Sequence, residues 1–491
     1  MNTTLPASAE PVRHPSGLKV IFLTEMWERY SYYGMRLLLV LYLTKALGYP
    51  RAEALSLYGL YTGLVYLTPL LGGYIADRWL GARLTAVIGA VVMMLGHFAM
   101  AFEPLLFIAL GLLVVGNGLF KANNSSMVGL LYDSPDDPRR AGGYTIFYMS
   151  VNIGSLLAPL GAGTLGEVYG WHWGFASAGV GMALGLGAML WLQPLLGRAG
   201  LRDDQTGVTR QHLPLVLAFC VGSLLLVLAV MQVSRLLSGV PMGLQLTLGV
   251  AAVVLVLGFS GRRQRGAATA RPALSPVERQ RVLAIAVIVF FVIFFWLGYE
   301  QTGGTMTLFA DEQTDRHLFG WEIPATWFQL VNPLTIILLA PAFAALWTRL
   351  DRSRYALPDP AKMALGMITL GLGFVVMAVA QQRAEAFGHV GPLWLVVVYV
   401  LHTLGELMLS PVGLSLTSRL APRHLAGLLM GCWMAATGVA NYLAGSLEGL
   451  LAGSNIPPFV FLYGSSIGAG VLLLCLTPWL NRLTRRTPGE G

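Results

Sequence analysis

Apolar stretches of about 20 residues, the length an α-helix needs to cross a hydrocarbon layer about 30 Å thick, recur along the whole chain with few charges inside them. Fourteen are present, at about 20–45, 55–76, 83–102, 105–130, 142–166, 173–195, 213–233, 241–259, 282–309, 325–348, 362–382, 391–417, 424–451 and 456–480. The pattern predicts an all-α chain of fourteen transmembrane helices. Met1 to Gly17 is polar and holds three prolines, so it is expected to be neither a signal peptide nor a span. Twelve spans group as six and six about the stretch Arg198 to Arg281, which holds two polar linkers and a hairpin of two hydrophobic helices near Leu213–Val233 and Pro241–Phe259. The expected division is a six-helix bundle at 1–197, a linker with two accessory, lipid-exposed helices at 198–281, and a second six-helix bundle at 282–491.

Composition agrees: 55% of the 491 residues are hydrophobic and 11% charged, with a mean hydropathy of +0.65. A net charge of +8 raises the question of nucleic acid or other anionic partners. The positions of the basic residues answer it. With the N-terminus cytoplasmic, 24 of the 32 Lys and Arg fall on cytoplasmic segments, five at or near periplasmic ones (Lys45, Arg51, Arg235, Arg316, Arg383) and three inside spans. That asymmetry is the positive-inside rule, and it places both termini in the cytoplasm. The cluster Arg262, Arg263, Arg265, Arg271, Arg279 and Arg281 is expected to face lipid headgroups. Cys220, Cys432 and Cys475 all lie within predicted spans, with no CxxC spacing, and are expected to be packing residues.

The first span carries the strongest chemical signal. Glu25, Glu28, Arg29, Tyr32 and Arg36 follow one another at spacings that align them on one helical face. Each charge would cost about 2.5–3.5 kcal/mol at the bilayer centre, so the stripe must face water or partners. Lone charges recur at Lys121, Glu300 and Glu406, whereas Glu448 lies close enough to a span end for its position to explain it. Arg29, Arg36 and Lys121 then oppose Glu25, Glu28, Glu300 and Glu406. One carboxylate is in excess, which suits a proton carrier in a low-dielectric cavity. Tyr32, Tyr33, Tyr66, Asn152, Trp296, Asn332 and Trp433 lie within spans around these charges as candidate pocket residues, and a helix interruption is expected at Asn332-Pro333. Gly161, Gly163 and Gly166 satisfy GxGxxG, and Gly464, Ser466 and Gly468 satisfy GxSxG. Both fall inside predicted membrane helices without a preceding strand, so close helix packing is expected instead of nucleotide or acyl chemistry. No paired metal-ligand spacing is present in the sequence.

Glu25, Glu28, Arg29, Tyr32, Tyr33 and Gly34 form ExxERxxYYG, which resembles the signature of the proton-dependent oligopeptide transporter (POT) family within the major facilitator superfamily. Gly72 to Arg83, Phe147 to Gly154, Asn332-Pro333 and Gly405 to Gly413 extend the resemblance along most of the chain, and the inserted hairpin is similar to that of the family's bacterial branch. The resemblance implies the major facilitator fold and a proton-coupled symporter of the inner membrane that imports di- and tripeptides. It implies a peptide carboxylate met by Arg36 and Lys121, and an amino end met by Glu406 with Asn152 and Asn332. Tyr32, Tyr33, Tyr66, Trp296 and Trp433 would line the pocket, and Glu25, Glu28, Arg29 and Glu300 would serve proton coupling. It also implies gating pairs Arg36 with Glu300 and Lys121 with Glu406, and a conformational role for Asp77, Arg78 and Arg83. The chain departs from the family at Tyr30, where Phe is usual, and at Ala122, where Pro commonly follows the lysine. No cofactor besides protons, no nucleic acid and a monomer in lipid are expected. Uptake of nitrate or a metabolite is the alternative cargo. An enzyme or a channel is opposed by the lack of a clustered nucleophile or a symmetric pore.

Overall fold

The computed structural model describes residues 13–134, 137–201, 213–236, 274–422 and 425–484. Its helices are α1 (Gly17–Leu41), α2 (Arg51–Leu67), α3 (Pro69–Ile75), α4 (Gly81–Ala99), α5 (Leu106–Leu130), α6 (Arg140–Ala158), α7 (Trp171–Trp191) and α8 (Leu213–Leu236), followed by α9 (Pro276–Tyr299), α10 (Thr305–Glu312), α11 (Val331–Asp351), α12 (Asp359–Phe387), α13 (Leu393–Leu420), α14 (Ala426–Leu451) and α15 (Pro458–Thr484). Helix covers thirteen of the fourteen expected spans. The remaining one, Pro241–Phe259, lies outside the described residues, as do Arg262, Arg263, Arg265 and Arg271. Nine helical stretches among the described residues are long and apolar enough to cross a membrane. Helix α1 is 25 residues long but carries the charged stripe.

Boundaries follow local chemistry. Helix α9 opens on a capping box, with Ser275 Oγ accepting from the Glu278 amide and Glu278 returning to the Ser275 amide, and Pro276 in the first turn. The expected span 282–309 is not one helix. It breaks at a 3₁₀ turn, Glu300–Gly303, and resumes as α10, because Gly303 and Gly304 favour a break over continued helix. The interruption expected at Asn332-Pro333 is also corrected: a 3₁₀ turn, Ala325–Leu330, leads into α11 and puts Pro333 in its first turn, where a missing amide costs nothing. A short hairpin precedes it, His317–Leu318 against Trp321–Glu322, turning through Phe319 and Gly320, both at positive φ.

Contacts divide the chain into two compact units. Unit 1 takes Met1–Tyr42, Val65–Leu224 and Arg316–Leu339; unit 2 takes Leu43–Leu64, Leu225–Asp315 and Ala340–Gly491. In unit 1, α4 and α5 meet backbone to backbone: a Cβ at Gly89 would lie 2.7 Å from the Gly116 oxygen. Unit 2 uses the same device between α12 and α13, where a Cβ at Gly366 or Gly405 would lie 2.7 Å from the other's oxygen. The GxGxxG glycines are packing residues, with Gly161 against Tyr30, Gly163 against Thr326 and Gly166 against Leu38. Close packing does not extend to the GxSxG glycines, because Gly464 and Gly468 meet open space on α15. Cys432 and Cys475 are exposed, not packed in a core. A small apolar thiol is tolerated on an outward face.

Candidate functional site

The stripe on α1 is buried inside unit 1, where α5, α6 and α7 surround the helix. Arg29 Nε lies 3.0 Å from Glu25 Oε1 and 2.5 Å from Glu28 Oε2, with the three side chains no more than 4% exposed. Its guanidinium also sits 5.4 Å from the Tyr32 ring centre, and Tyr32 packs edge-on against Tyr33. Burial of this kind is tolerable only with near-complete pairing. The second oxygens of the two carboxylates therefore look across to α5: Asn124 Nδ2 donates to Glu25 Oε2 at 2.7 Å and Asn117 Nδ2 to Glu28 Oε1 at 3.4 Å. Neither asparagine is among the residues the sequence singles out. Their signal was available in principle, since Asn117 and Asn124 bracket Lys121 at i−4 and i+3 on an apolar helix.

Lys121 Nζ stands 4.2 Å from the Tyr66 ring centre, a cation–π contact, and it acts electrostatically on Glu28. Arg36 is buried at 8% exposure, two turns beyond Arg29 on α1. Asn152 is buried on α6 and donates to the Tyr148 carbonyl of its own helix at 2.9 Å. Asn332 belongs to the first turn of α11, within unit 1. Of the three residues expected to govern conformation, Asp77 and Arg78 are exposed in a helical turn, Ala76–Leu80. Arg83 is buried in α4 and donates from Nε to the Ala199 carbonyl at 3.0 Å and from Nη2 to the Gly197 carbonyl at 2.7 Å. It ties the start of α4 to the segment after α7 by filling carbonyls left open there.

Unit 2 holds Glu300, Glu406, Trp296 and Trp433. Glu300 opens the 3₁₀ turn after α9 and is buried. Glu406 Oε2 accepts from the Tyr299 hydroxyl at 2.6 Å. The Trp296 ring packs edge-on against Tyr299, and Trp433 is buried against Gly413 and Met363. Tyr299 is a site residue that sequence reasoning missed, masked by its neighbour Glu300. Arg36 and Lys121 belong to unit 1, Glu300 and Glu406 to unit 2.

Glu448 lies in the last turn of α14, at the span end where its sequence position put it, and there it joins a second polar cluster of unit 2. Arg51 Nε and Nη2 approach Glu448 at 2.9 and 3.1 Å while its Nη1 reaches Glu312 at 2.7 Å. Thr305 Oγ1 also donates to Glu448, and Lys45 pairs with Asp311 at 2.7 Å. In unit 1 Glu167 takes three donors from the entry to α11: the amides of Ala325 at 2.7 Å and Thr326 at 2.9 Å, and the Thr326 hydroxyl at 2.5 Å. Trp327 Nε1 donates to Thr164 Oγ1 at 2.9 Å beside it. Glu167 was not singled out in the sequence because it lies at the end of its span, as Glu448 does.

Comparison with known proteins adds to this geometry. The family model described as PTR2, POT family, matches residues 83–458. The chain is 35% identical to "Peptide transporter YePEPT" of Yersinia enterocolitica subsp. palearctica over 100% of this chain and 99% of that protein. It is 30% identical to "Dipeptide and tripeptide permease B" of Salmonella typhimurium, over 100% and 99% of the two chains. Among solved structures, a mutant of peptide transporter POT in complex with alafosfalin superposes with a TM-score of 0.80 at 33% identity, covering 97% of each chain.

Proposed function

Since the chain belongs to the POT family and is a multi-pass membrane protein, we propose that it is a proton-coupled symporter that imports di- and tripeptides by alternating access. The observation that carries this reading is the buried triad Glu25–Arg29–Glu28 on α1. Two carboxylates sharing one guanidinium in a dry site form a unit whose charge changes by one when a proton arrives. The relatives named above as a peptide transporter and as a dipeptide and tripeptide permease supply the cargo class.

In this reading a peptide's two termini are recognised by opposite charges: Arg36 and Lys121 take the carboxylate, and Glu406 with Asn152 and Asn332 takes the amine. Tyr32, Tyr33, Tyr66, Trp296 and Trp433 offer aromatic surface to side chains of any sequence. Glu300 exchanges with Arg36, and Glu406 with Lys121, as proton and peptide compete for them. Asp77, Arg78 and Arg83 govern conformation. The functional halves are 1–197 and 282–491, with 198–281 as accessory linker. The protein works as a monomer in the bacterial inner membrane, both termini cytoplasmic, with protons as the coupling ion, and the cargo passes through chemically unchanged.

The test is uptake into proteoliposomes of labelled di-, tri- and tetrapeptides and free amino acids, with and without a proton gradient, challenged by unlabelled peptides and by nitrate. Gradient-driven uptake confined to the di- and tripeptides is expected. Inhibition by nitrate and by no peptide would overturn the cargo assignment, and undiminished uphill uptake by Glu25→Gln, Glu28→Gln would overturn the coupling site.

A further inference from the structure

Arginine stabilises a carboxylate only while that carboxylate is charged. The guanidinium has five N–H donors and no acceptor, so once a proton lands on Glu25 or Glu28, the new O–H finds nothing on Arg29 to receive it. A buried donor without a partner opposes its own formation. A site that must hold both protonation states needs a neighbour that can donate in one and accept in the other.

Helix α5 supplies two such neighbours. Asn117 and Asn124 are 1% and 0% exposed, and each directs its amide nitrogen at one carboxylate: Asn124 at Glu25, Asn117 at Glu28. The pairing is crossed, the higher-numbered asparagine meeting the lower-numbered acid. Among the described residues the Oδ1 atoms of both asparagines accept no hydrogen bond. Two buried amide oxygens left open, each on a group already aimed at an acid, are unusual, because buried acceptors are nearly always filled. Rotating the amide by half a turn about χ2 exchanges nitrogen for oxygen without moving the helix. The acceptor then faces the acid that has gained an O–H.

Resting on the proton-coupled reading above, we propose that Asn124 and Asn117 are positioning residues for the coupling proton: each donates to its carboxylate when ionised and, after rotation, accepts the O–H when protonated. Among the described residues these two amides are the groups seen donating across from α5 to the two carboxylates. Lys121, which lies between the two asparagines and acts on Glu28, only donates. Tyr32 and Tyr33 are the remaining titratable groups that act on Arg29, and Tyr32 presents its ring to the guanidinium. The tight partner is Asn124, at 2.7 Å, and the loose one Asn117, at 3.4 Å, so Asn124 carries the larger share.

The experiment uses the full chain in proteoliposomes with the substitutions Asn124→Leu and Asn124→Gln, and Asn117→Leu beside them. Leucine keeps the volume and removes both functions; glutamine keeps both. Asn124→Leu is expected to lower gradient-driven dipeptide uptake by about tenfold, the value of one hydrogen bond to a charged group. Counterflow, which requires no net proton movement, should change by less than about twofold on the same reasoning. The pH of half-maximal uptake should move upward by about one unit, because the donor lost to the charged carboxylate is worth more than the acceptor lost to its O–H. Asn124→Gln should restore most of the uptake. A second readout does not depend on transport: the infrared C=O stretch of the protonated carboxyl, followed through a pH titration, should shift in Asn124→Leu and stay near its original frequency in Asn124→Gln. If Asn124→Leu fails to fold, the uptake profile and the infrared titration of Asn117→Leu are read the same way. An unaltered pH profile together with an unaltered carboxyl band in the leucine variants would overturn the proposal. Absence of gradient-driven uptake in the unsubstituted protein would instead sink the transport reading, and the carboxyl band would still decide whether the amides follow the proton.

Discussion

A charge placed where oil should be is tolerated in this protein by the number and direction of its partners, and the partners differ in worth. Arg51 illustrates the scale. It meets Glu448 through Nε and Nη2 and Glu312 through Nη1 alone, and the Glu448 side chain is 16% exposed against 46% for Glu312. Two-point contact with a shielded carboxylate is stronger than one-point contact with a solvated one, so double-mutant cycles should give about 1–2 kcal/mol for Arg51 with Glu448 and under about 0.5 kcal/mol for Arg51 with Glu312. Unfolding of the single and double variants in detergent measures both, and equal couplings would show that burial does not rank these pairs. Residues of this kind were only half legible in the sequence. Glu25, Glu28, Arg29 and Arg36 stand out because nothing apolar explains four charges in one span. Asn117, Asn124 and Tyr299 carry no formal charge, and an amide or phenol in a span costs too little to signal itself without its neighbour in view. Glu448 and Glu167 were hidden by proximity to span ends, where a carboxylate needs no excuse.

At the scale of elements, the helices were predicted by hydropathy and the breaks between and within them by glycine and proline chemistry, with different success. Length and apolar content found thirteen of the described spans, whereas the break at Glu300–Gly303 and the 3₁₀ entry to α11 depend on which backbone groups find partners and no hydropathy window reports that. Glu167 shows the dependence directly, since it satisfies the Ala325 and Thr326 amides and the Thr326 hydroxyl together. Replacing it with alanine strands buried donors at about 1–3 kcal/mol each, so Glu167→Ala should lower the melting temperature in detergent markedly, with Glu167→Gln intermediate because one acceptor oxygen survives. A melting curve indifferent to both would mean that water replaces the carboxylate there. Glycine contacts give a sharper contrast. Gly366→Ala drives a methyl to 2.7 Å from the Gly405 oxygen and should destabilise the protein by about 1–3 kcal/mol, as overpacking does. Gly464→Ala, which meets open space on α15, should be neutral or slightly stabilising through helix propensity. If the two substitutions proved equivalent, the α12–α13 contact would not be a rigid one.

For the whole molecule the deciding quantity is charge moved per cycle. A di- or tripeptide with neutral side chains is a zwitterion of zero net charge, so its inward passage with one proton carries one positive charge. Each charge crossing a potential of 100 mV gains about 2.3 kcal/mol, which corresponds to an accumulation ceiling of about fiftyfold for one proton and the square of that for two. Proteoliposomes held at an inside-negative potential, with equal pH on both sides, should therefore concentrate a neutral dipeptide toward a plateau whose logarithm rises linearly with voltage, the slope counting protons. The buried triad argues for a small integer, because Arg29 leaves a single negative charge between Glu25 and Glu28 to be neutralised. A lysyl dipeptide, carrying one charge more, should show a slope larger by one, and a glutamyl dipeptide a slope smaller by one. A plateau that ignores voltage for the neutral dipeptide, with slopes of plus one and minus one left for the lysyl and glutamyl dipeptides, would require the proton's charge to be compensated inside each cycle, and the shared guanidinium on α1 would then be a structural feature with no part in coupling.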